Sequence, residues 1–187
     1  TVLGYVGVIG QQEGMDLLVA AVDRLVNDLG HRDLHVLIVG FGSHLGAVKA
    51  DVAARGLEGY VTFTGALYGD DLVRALNSID IGLAPDPKNP MNDISTMNKV
   101  MEYMALEKPM VQFDLTEGRV SAGDAALYAP ANDAEAFADR IARLIEDAAL
   151  RRTLGQRGRQ RVLETLAWNH SAENLLAAYD RIFARRG

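Results

Sequence analysis

The residues that could do chemistry are concentrated in the segment STMNKVMEYMA, residues 95–105, where a lysine and a carboxylate are three positions apart. Ser95 is a good helix N-cap, so the segment predicts a helix that begins there and has Lys99 in or just after its opening turn. Backbone amides at a helix N-terminus carry partial positive charge, which disfavours a lysine and favours an anion. The combined potential of the amides and Lys99 therefore predicts a phosphate-binding site.

Glu102 is the carboxylate of this segment, one helical turn after Lys99. It could accept hydrogen bonds from two neighbouring hydroxyl groups, such as those of a ribose. A hydrogen bond to a charged group contributes about 1.5–3 kcal/mol. The alternative is a surface ion pair between Lys99 and Glu102, worth about 0–1 kcal/mol. On spacing alone the ion pair is the more frequent outcome.

A second group of residues, GVIGQQEG, lies at positions 7–14 after the first predicted strand. Its glycines, Gly7, Gly10 and Gly14, permit tight turns and close approach of the backbone to a ligand. A glycine loop that enters a helix commonly binds phosphate, although such loops also use glycine simply to turn. The spacing is not G-x-G-x-x-G, so the dinucleotide-binding fingerprint is not met.

Strand-like and helix-like segments alternate along the chain, which predicts a parallel sheet with helices on both faces. The predicted strands are residues 2–9, 34–39, 60–64, 80–84, 109–113 and 126–129. The predicted helices are about 14–29, 43–55, 70–77, a segment from 95, 133–147, 148–165 and 170–185, with a loop through Gly118 and Gly123. The fold class is therefore α/β, a doubly wound, Rossmann-like sheet of about six strands with C-terminal helices. If the strand order is 3-2-1-4-5-6, the glycine loop faces the start of the Ser95 helix across a crevice.

The composition of the chain excludes several classes of function. The chain has 187 residues, a net charge of −6 and no cysteine. The lack of cysteine excludes disulfides, thiolate metal sites and thiol nucleophiles. The charge gives no basic field for nucleic acid, and no apolar run approaches the ~20 residues of a membrane span. Because the sequence begins inside a predicted strand without a methionine, we expect residues 1–187 to be one domain of a longer protein, with 148–187 as its helical appendage.

The segment KVMEYMALEKPMV, residues 99–111, resembles the Lys-x-x-Glu-Tyr-x-Ala-x-Gly-x-Pro-x-Val segment of group 1 glycosyltransferases with the GT-B fold. Four further segments are similar to the carboxyl-terminal, donor-binding domain of the same family: GYVGVIGQQEGMDLLVAAV, VLIVGFGS, FTGALYGDDLVRALNSIDIGLAP and SAGDAALYAPAND. The ordered run of motifs covers nearly the whole chain and is more specific than any one of them.

The resemblance implies that Lys99 and Glu102 are the catalytic residues of a glycosyltransferase. Glu102 matches the second acid of the family's Glu-x7-Glu motif, which holds the donor ribose. Helix amides and Lys99 would stabilise the charge that develops on the diphosphate leaving group. The implied donor-binding residues are Gly7, Gly10, Leu67, Ser95, Thr96, Met97, Asn98, Lys99 and Glu102. Asp93 and Arg119 are additional candidates, with a solvated arginine as the alternative for Arg119.

The resemblance also implies the partners. The donor would be a nucleotide-diphosphate sugar, UDP-linked by family frequency, and the reaction would be retaining and need neither cofactor nor metal. A glycan or lipid-linked acceptor would be held mostly by an N-terminal domain of the same chain, so we expect this piece alone to transfer nothing. The expected location is cytoplasmic, or peripheral at the inner face of the membrane through that domain.

Four positions depart from the family pattern. Val8 and Glu13 stand where the family has an arginine and a lysine, and Glu107 stands where it has a glycine. The first acid of Glu-x7-Glu falls on Ile94, one residue after Asp93. The two missing cations normally help to neutralise the diphosphate, which keeps open a non-catalytic nucleotide-sugar-binding or scaffolding domain.

Two other functions have weaker support. The segment GFGSHLG, residues 40–46, approximates a dinucleotide loop, but the following strand ends without the acid that binds an NAD ribose. His31 and His35 are four residues apart but flank a predicted strand, so we do not expect them to bind a metal ion together.

Overall fold

The computed structural model describes residues 1–184, which contain one six-stranded sheet with helices on both faces. The strands are β1 (Val2–Val6), β2 (His35–Val39), β3 (Val61–Gly65), β4 (Ile81–Ala84), β5 (Met110–Phe113) and β6 (Ala126–Ala129). Their order is β3-β2-β1-β4-β5-β6, and each neighbouring pair is parallel. The predicted doubly wound fold is confirmed, and β1 lies beside β4.

Eight α-helices connect and follow the strands of residues 1–184. They are α1 (Met15–Asp23), α2 (Leu45–Ala54), α3 (Gly69–Ser78), α4 (Asn98–Ala105), α5 (Thr116–Ala122), α6 (Ala134–Glu146), α7 (Ala148–Arg161) and α8 (Trp168–Ala184). A π-helical turn extends α1 over Arg24–Asp28 and α7 over Val162–Leu166. The predicted end of the last helix at residue 185, and residues 185–187 of the predicted appendage, lie outside the described residues.

Helix α5 was not predicted, because Gly118 and Gly123 indicated a loop. Gly118 lies inside this helix, and a β-carbon there would lie 2.6 Å from Oε1 of the buried Gln112. The glycine therefore makes room for a side chain of β5, and this packing outweighs its poor helix propensity. Gly123 ends the helix with a φ of 56°.

The two faces of the sheet are packed differently. Side chains alternate along β1, so Leu3 and Tyr5 join the core beneath α1 and α6, whereas Val2 and Val6 pack on the opposite side. On that opposite side Tyr103 and Met104 of α4 are fully buried. The apolar stripe of α4 thus fixes the helix on the sheet, which positions Lys99 and Glu102.

Tyr103 joins β1 to β4 at the point where the strand order reverses. Its hydroxyl lies 3.1 Å from both Gly4 O and Leu83 O, and it accepts a hydrogen bond from Val6 N at 3.3 Å. The ring fits because Gly82 has no β-carbon, which would lie 2.6 Å from the ring. In doubly wound sheets, ligands bind at this reversal, outside the carboxyl ends of the strands.

The loops that follow β1 and β4 are fastened to each other. Asn92, which is buried, donates from Nδ2 to Gln12 O at 3.1 Å and to Pro87 O at 2.9 Å. Gly14 has a φ of 68°, and a β-carbon on it would lie 1.9 Å from Pro85 O. The glycine loop therefore packs backbone against backbone on the β4 loop.

Candidate functional site

Helix α4 begins later than predicted. Its first residue is Asn98 and its N-cap is Met97, so the prediction that Ser95 caps the helix is wrong. A 3-10 turn, Asn92–Ile94, precedes it, and the Ser95 hydroxyl donates back to Met91 O at 2.6 Å. Lys99 still lies in the first turn of the helix, and Met97 contributes no side-chain cap to the backbone amides.

Lys99 is buried beside the glycine loop. Its side chain is 7% exposed, and a β-carbon on Gly7 would lie 3.3 Å from its Cε. The ammonium nitrogen lies 2.6 Å from Asp86 Oδ1, 3.9 Å from Glu13 Oε2 and 5.3 Å from the centroid of the Tyr5 ring. The strand order therefore brings Lys99 to Gly7, as the sequence predicted.

The charge of Lys99 is compensated by protein groups rather than by a ligand alone. From the sequence we predicted that a phosphate compensates this charge, and we did not predict a role for Asp86. One ammonium and two carboxylates give the cluster of Lys99, Asp86 and Glu13 a formal net charge of −1 when all three are ionised. The predicted alternative of a Lys99–Glu102 ion pair is wrong, because the ammonium group turns toward Asp86 and Glu13 instead.

The environment of the cluster alters two proton affinities. Burial raises the pKa of the Glu13 carboxyl; Lys99 opposes this, and the charge and hydrogen bonding of Asp86 add to it. Burial also raises the pKa of the Tyr5 hydroxyl, and the charges of Glu13 and Asp86 raise it further. Tyr5 is therefore neutral, and its hydroxyl donates to Val8 O at 2.6 Å, which holds the glycine loop.

Glu102 lies one turn further along α4 and is half-buried. Gly10 precedes a 3-10 turn, Gln11–Glu13, with an extended backbone that needs no glycine-specific φ. Of the predicted site residues, Gly7 and Lys99 are thus brought together, and Glu102 follows Lys99 by one turn of α4.

The residues before α4 are held by protein contacts or exposed. Thr96 Oγ1 donates to Glu117 Oε1 at 2.8 Å, and Met97 is half-buried against the core on the α4 side of the sheet. Asn98 is exposed at the first position of the helix. Ser95 and Thr96 thus shape the approach to α4 through their hydroxyl groups.

Asp93 and Arg119 have structural roles around α5. Asp93 accepts from Thr116 N at 2.8 Å and from Thr116 Oγ1 at 3.0 Å, and these bonds with Lys88 lower its pKa, the backbone bond most. Arg119 donates two hydrogen bonds to the carboxylate of Asp114, at 2.6 and 2.7 Å. The hypotheses that Asp93 replaces the missing first acid and that Arg119 binds the donor gain no support from these contacts.

Leu67 lines an apolar pocket of about 240 Å³ next to Gly7. The pocket lies at the carboxyl ends of β1, β2 and β3. Its wall includes Val8, Phe41 and Tyr68, whose side chains are 61%, 61% and 74% exposed. A pocket with open aromatic side chains can receive a flat, weakly polar group such as a nucleobase. The sequence analysis named Gly7 and Leu67 of this wall as donor-binding residues, but neither Phe41 nor Tyr68.

Two alternatives from the sequence lose support. Gly40 and Gly42 pack on the glycine loop, since β-carbons there would lie 1.9 Å from Gly7 O and 2.3 Å from Ile9 O. Packing thus explains why both positions are glycine, and no dinucleotide is needed to explain them. His31 lies 3.5 Å from Glu146, and His35 lies 2.8 Å from Thr62 Oγ1, so the two rings have different partners.

Residues 1–184 lack both a cluster of side chains typical of a metal site and a helix typical of a membrane span. They contain no group of three His, Asp or Glu side chains arranged to hold a metal ion. None of the helices in this range is long and apolar enough to cross a membrane.

Comparison with known proteins gives consistent matches. The sequence profile of the family described as "Glycosyl transferases group 1" matches residues 1–147. A 2-deoxystreptamine glucosyltransferase from Streptomyces kanamyceticus is 29% identical over 189 residues, which cover 98% of this chain and 46% of that protein. A D-inositol 3-phosphate glycosyltransferase from Stackebrandtia nassauensis is 29% identical over 195 residues, which cover 99% and 42%. The chain spans about half the length of the curated relatives it matches.

Solved structures show the same architecture. Sucrose-phosphate synthase from Thermosynechococcus elongatus superposes with a TM-score of 0.86 at 25% identity, covering 98% of this chain and 46% of that one. HepE from Anabaena, solved in complex with UDP and glucose, superposes with a TM-score of 0.79 at 16% identity, covering 95% and 48%. The second likeness concerns the fold alone.

Proposed function

Because the chain belongs to the group 1 glycosyltransferases and has the matching GT-B architecture, we propose that it is the donor-binding part of a transferase that uses a nucleotide-diphosphate sugar. One observation carries this proposal: the buried Lys99 lies in the first turn of α4 and beside the glycine loop, where the order of the strands reverses. Such a place combines the dipole of α4 with the ammonium group, which together favour a phosphate.

The diphosphate would lie between Gly7 and the N-terminus of α4. The Lys99 ammonium has three N–H donors, and Asp86 accepts one of them at 2.6 Å. The remaining donors and the amides of Asn98 and Lys99 would then be available to phosphate oxygens, whereas Val100 N already donates to Met97 O at 3.0 Å. Asp86 would fix the direction of the ammonium group, so that Lys99 acts from a defined position.

The nucleoside would extend from one end of the diphosphate, with its ribose and its base in contact with different residues. Glu102 would accept hydrogen bonds from the ribose hydroxyls, since it is half-buried one turn beyond Lys99. The base would enter the apolar pocket beside Leu67 and meet the backbone of Ala66 and Leu67 there. UDP is the first nucleotide to test, because the HepE structure contains it.

The chemical contribution of this part would be electrostatic. As the sugar leaves, negative charge grows on the diphosphate, and preorganised donors stabilise that charge best in a site with little water. Lys99 and the α4 amides would supply these donors without a metal, in a reaction that retains the anomeric configuration. The acceptor would be bound by an N-terminal half of the full-length enzyme, so the piece described here would transfer no sugar alone.

The test is a titration of the 187-residue chain with UDP, GDP and ADP, followed by backbone amide chemical shifts. We expect one nucleotide to shift the amides of Gly7, Leu67, Asn98 and Lys99. Glu102→Ala should lower the affinity for that nucleotide roughly tenfold to hundredfold, because it removes hydrogen bonds to a charged acceptor. Glu58→Ala is the matched control, since Glu58 is exposed in the turn before β3.

Two results would contradict the proposal. Shifts confined to other surfaces would show that the crevice does not bind the nucleotide. Tighter binding of NAD than of UDP, GDP and ADP in parallel calorimetry would favour a nicotinamide-dependent oxidoreductase. Transferase activity of the full-length chain that is lost with Glu102→Ala would exclude the non-catalytic alternative, whereas a full-length chain without activity would favour it.

A further inference from the structure

Four titratable side chains from four different elements meet at the proposed phosphate site. Tyr5 comes from β1, Glu13 from the turn before α1, Asp86 from the loop after β4, and Lys99 from α4. Asp86 and Lys99 are 2% and 7% exposed, and the Glu13 side chain is 19% exposed. The ionised cluster has one positive and two negative charges, so a diphosphate would enter a site that already has an excess of negative charge.

One oxygen of this cluster lacks a partner. Asp86 Oδ1 accepts from Lys99, whereas Asp86 Oδ2 is buried and has no hydrogen-bond partner within residues 1–184. Buried carboxylate oxygens are normally hydrogen-bonded, so this one requires a donor. Tyr5 is excluded as that donor because its hydroxyl already donates to Val8 O.

Glu13 is the neighbouring group that could become the donor. Its Oε2 atom lies 3.9 Å from the Lys99 ammonium nitrogen, which Asp86 Oδ1 contacts at 2.6 Å, so the two carboxyl groups are neighbours around one ammonium group. An ionised carboxylate has no proton to donate, but a carboxylic acid has one. A single proton on Glu13 would therefore satisfy Asp86 Oδ2 and remove the excess negative charge.

Building on the proposed function, we propose that the nucleotide diphosphate binds together with one proton, which Glu13 carries and donates in a hydrogen bond to Asp86 Oδ2. In this step the Glu13 carboxylate takes up a proton from solvent and becomes a carboxylic acid, and no other bond is made or broken. The formal charge of the cluster rises from −1 to 0. Glu13 then serves the diphosphate without a positive charge, although the family has a lysine at this position.

The surroundings of Glu13 favour this proton. Burial already raises the pKa of Glu13 in the free protein, Asp86 adds to the rise, and Lys99 opposes it. Tyr5 stays neutral because its own pKa is raised. A bound diphosphate adds negative charge next to the carboxyl and raises its pKa again. Between the free and the bound pKa of Glu13, nucleotide affinity should fall about tenfold for each unit of rising pH.

The experiment is calorimetric titration of the chain with UDP, with GDP and ADP in parallel, between pH 7.5 and 8.5. The terminal phosphate of the nucleotide is almost fully ionised in this range, since such groups have a pKa near 6. Each titration is run in two buffers of different ionisation enthalpy, which gives the number of protons taken up. We expect net proton uptake by the unmodified chain, because the bound nucleotide raises the pKa of Glu13 above its value in the free protein.

Glu13→Gln supplies the second measurement. Its amide can donate to Asp86 Oδ2 without a proton, so we expect no proton uptake and at least severalfold tighter binding at pH 8.5. Glu58→Gln makes the same change at an exposed position and should keep both the proton uptake and the affinity of the unmodified chain.

The possible results distinguish a failure of this inference from a failure of the proposed function. Nucleotide binding without proton uptake by the unmodified chain would overturn this inference and leave the proposed function intact. Proton uptake that persists in Glu13→Gln would place the proton elsewhere and overturn it too. If UDP, GDP and ADP all fail to bind, the proposed function falls and this inference falls with it.

Discussion

Two ion pairs of this protein share the same shortest nitrogen–oxygen distance but have opposite surroundings. Lys99 approaches Asp86 to 2.6 Å with side chains that are 7% and 2% exposed. Arg119 approaches Asp114 to 2.6 Å with side chains that are 53% and 44% exposed. Solvent screens the second pair, so it contributes about 0–1 kcal/mol. The first pair has lost its hydration, which offsets much or all of its mutual attraction.

The two ion pairs differ in their surroundings and therefore in their roles. The exposed pair borders α5, and Arg119 also covers the ring of Tyr128 at 4.0 Å, so it supports local packing. The buried pair has an additional carboxylate neighbour, Glu13, whose Oε2 atom lies 3.9 Å from the Lys99 ammonium nitrogen. Apolar residues of similar volume would fill the same space as well. Folding therefore does not require the buried lysine of the crevice, which leaves it free to serve the proposed site.

The largest expected effect is the loss of the buried carboxylate. Asp86→Ala leaves the Lys99 ammonium buried with only Glu13 at 3.9 Å, so we expect the free energy of unfolding to fall by about 3 kcal/mol. Asp114→Ala removes the corresponding partner of the exposed pair and should cost at most about 1 kcal/mol. Urea denaturation followed by circular dichroism measures both variants. Equal losses would refute the distinction between the two pairs.

A smaller loss of stability is expected at two glycines, one buried in the crevice and one exposed. Gly14 and Gly30 have φ values of 68° and 74°, but a β-carbon on Gly14 would lie 1.9 Å from Pro85 O, whereas one on Gly30 would have nothing within 4 Å. Gly30→Ala should cost about 1 kcal/mol, from the left-handed backbone alone. Gly14→Ala should cost more than about 2 kcal/mol, because the loops must also separate. Thermal unfolding of both variants, with the unmodified chain beside them, tests whether the crevice is the more tightly built region.

The smallest effect concerns the surplus carboxylate in the absence of nucleotide. The folded pKa of Glu13 is raised, so the folded protein binds more protons than the unfolded chain, and stability falls as pH rises through that folded pKa. Glu13→Gln removes this loss and should raise the free energy of unfolding at pH 8 by up to about 1 kcal/mol, the range of a partly exposed pair. At pH 4 the unmodified chain is itself protonated, so the two should be nearly equal. A variant that is less stable at pH 8 would show that the Glu13 charge supports the fold.

The sequence was sufficient for the sheet, because buried strands and their connecting helices have distinct periods. It was insufficient where a contact between distant segments decides the local structure. Gly118 indicated a loop, but space for Gln112 and the cap from Asp93 produce α5. Ser95 indicated a helix start, but a 3-10 turn uses its hydroxyl.

The site was partly predictable for the same reason. Lys99 and Gly7 could be brought together from strand order alone, since both follow strands that meet at the reversal. Asp86 was missed although one signal was available: it is a charged residue two positions after β4, at the carboxyl edge of the sheet. Its role depends on residues 13, 86 and 99 converging, and no local pattern in the sequence records that convergence.

The fastening of the two crevice loops has a consequence for binding kinetics. Asn92 holds both loops through Gln12 O and Pro87 O, and Tyr103 holds the two strands beneath them. The entropy of ordering this backbone is therefore lost during folding and not when a ligand arrives. Association should proceed in a single kinetic phase, and its rate should be set by diffusion and orientation instead of by a conformational step.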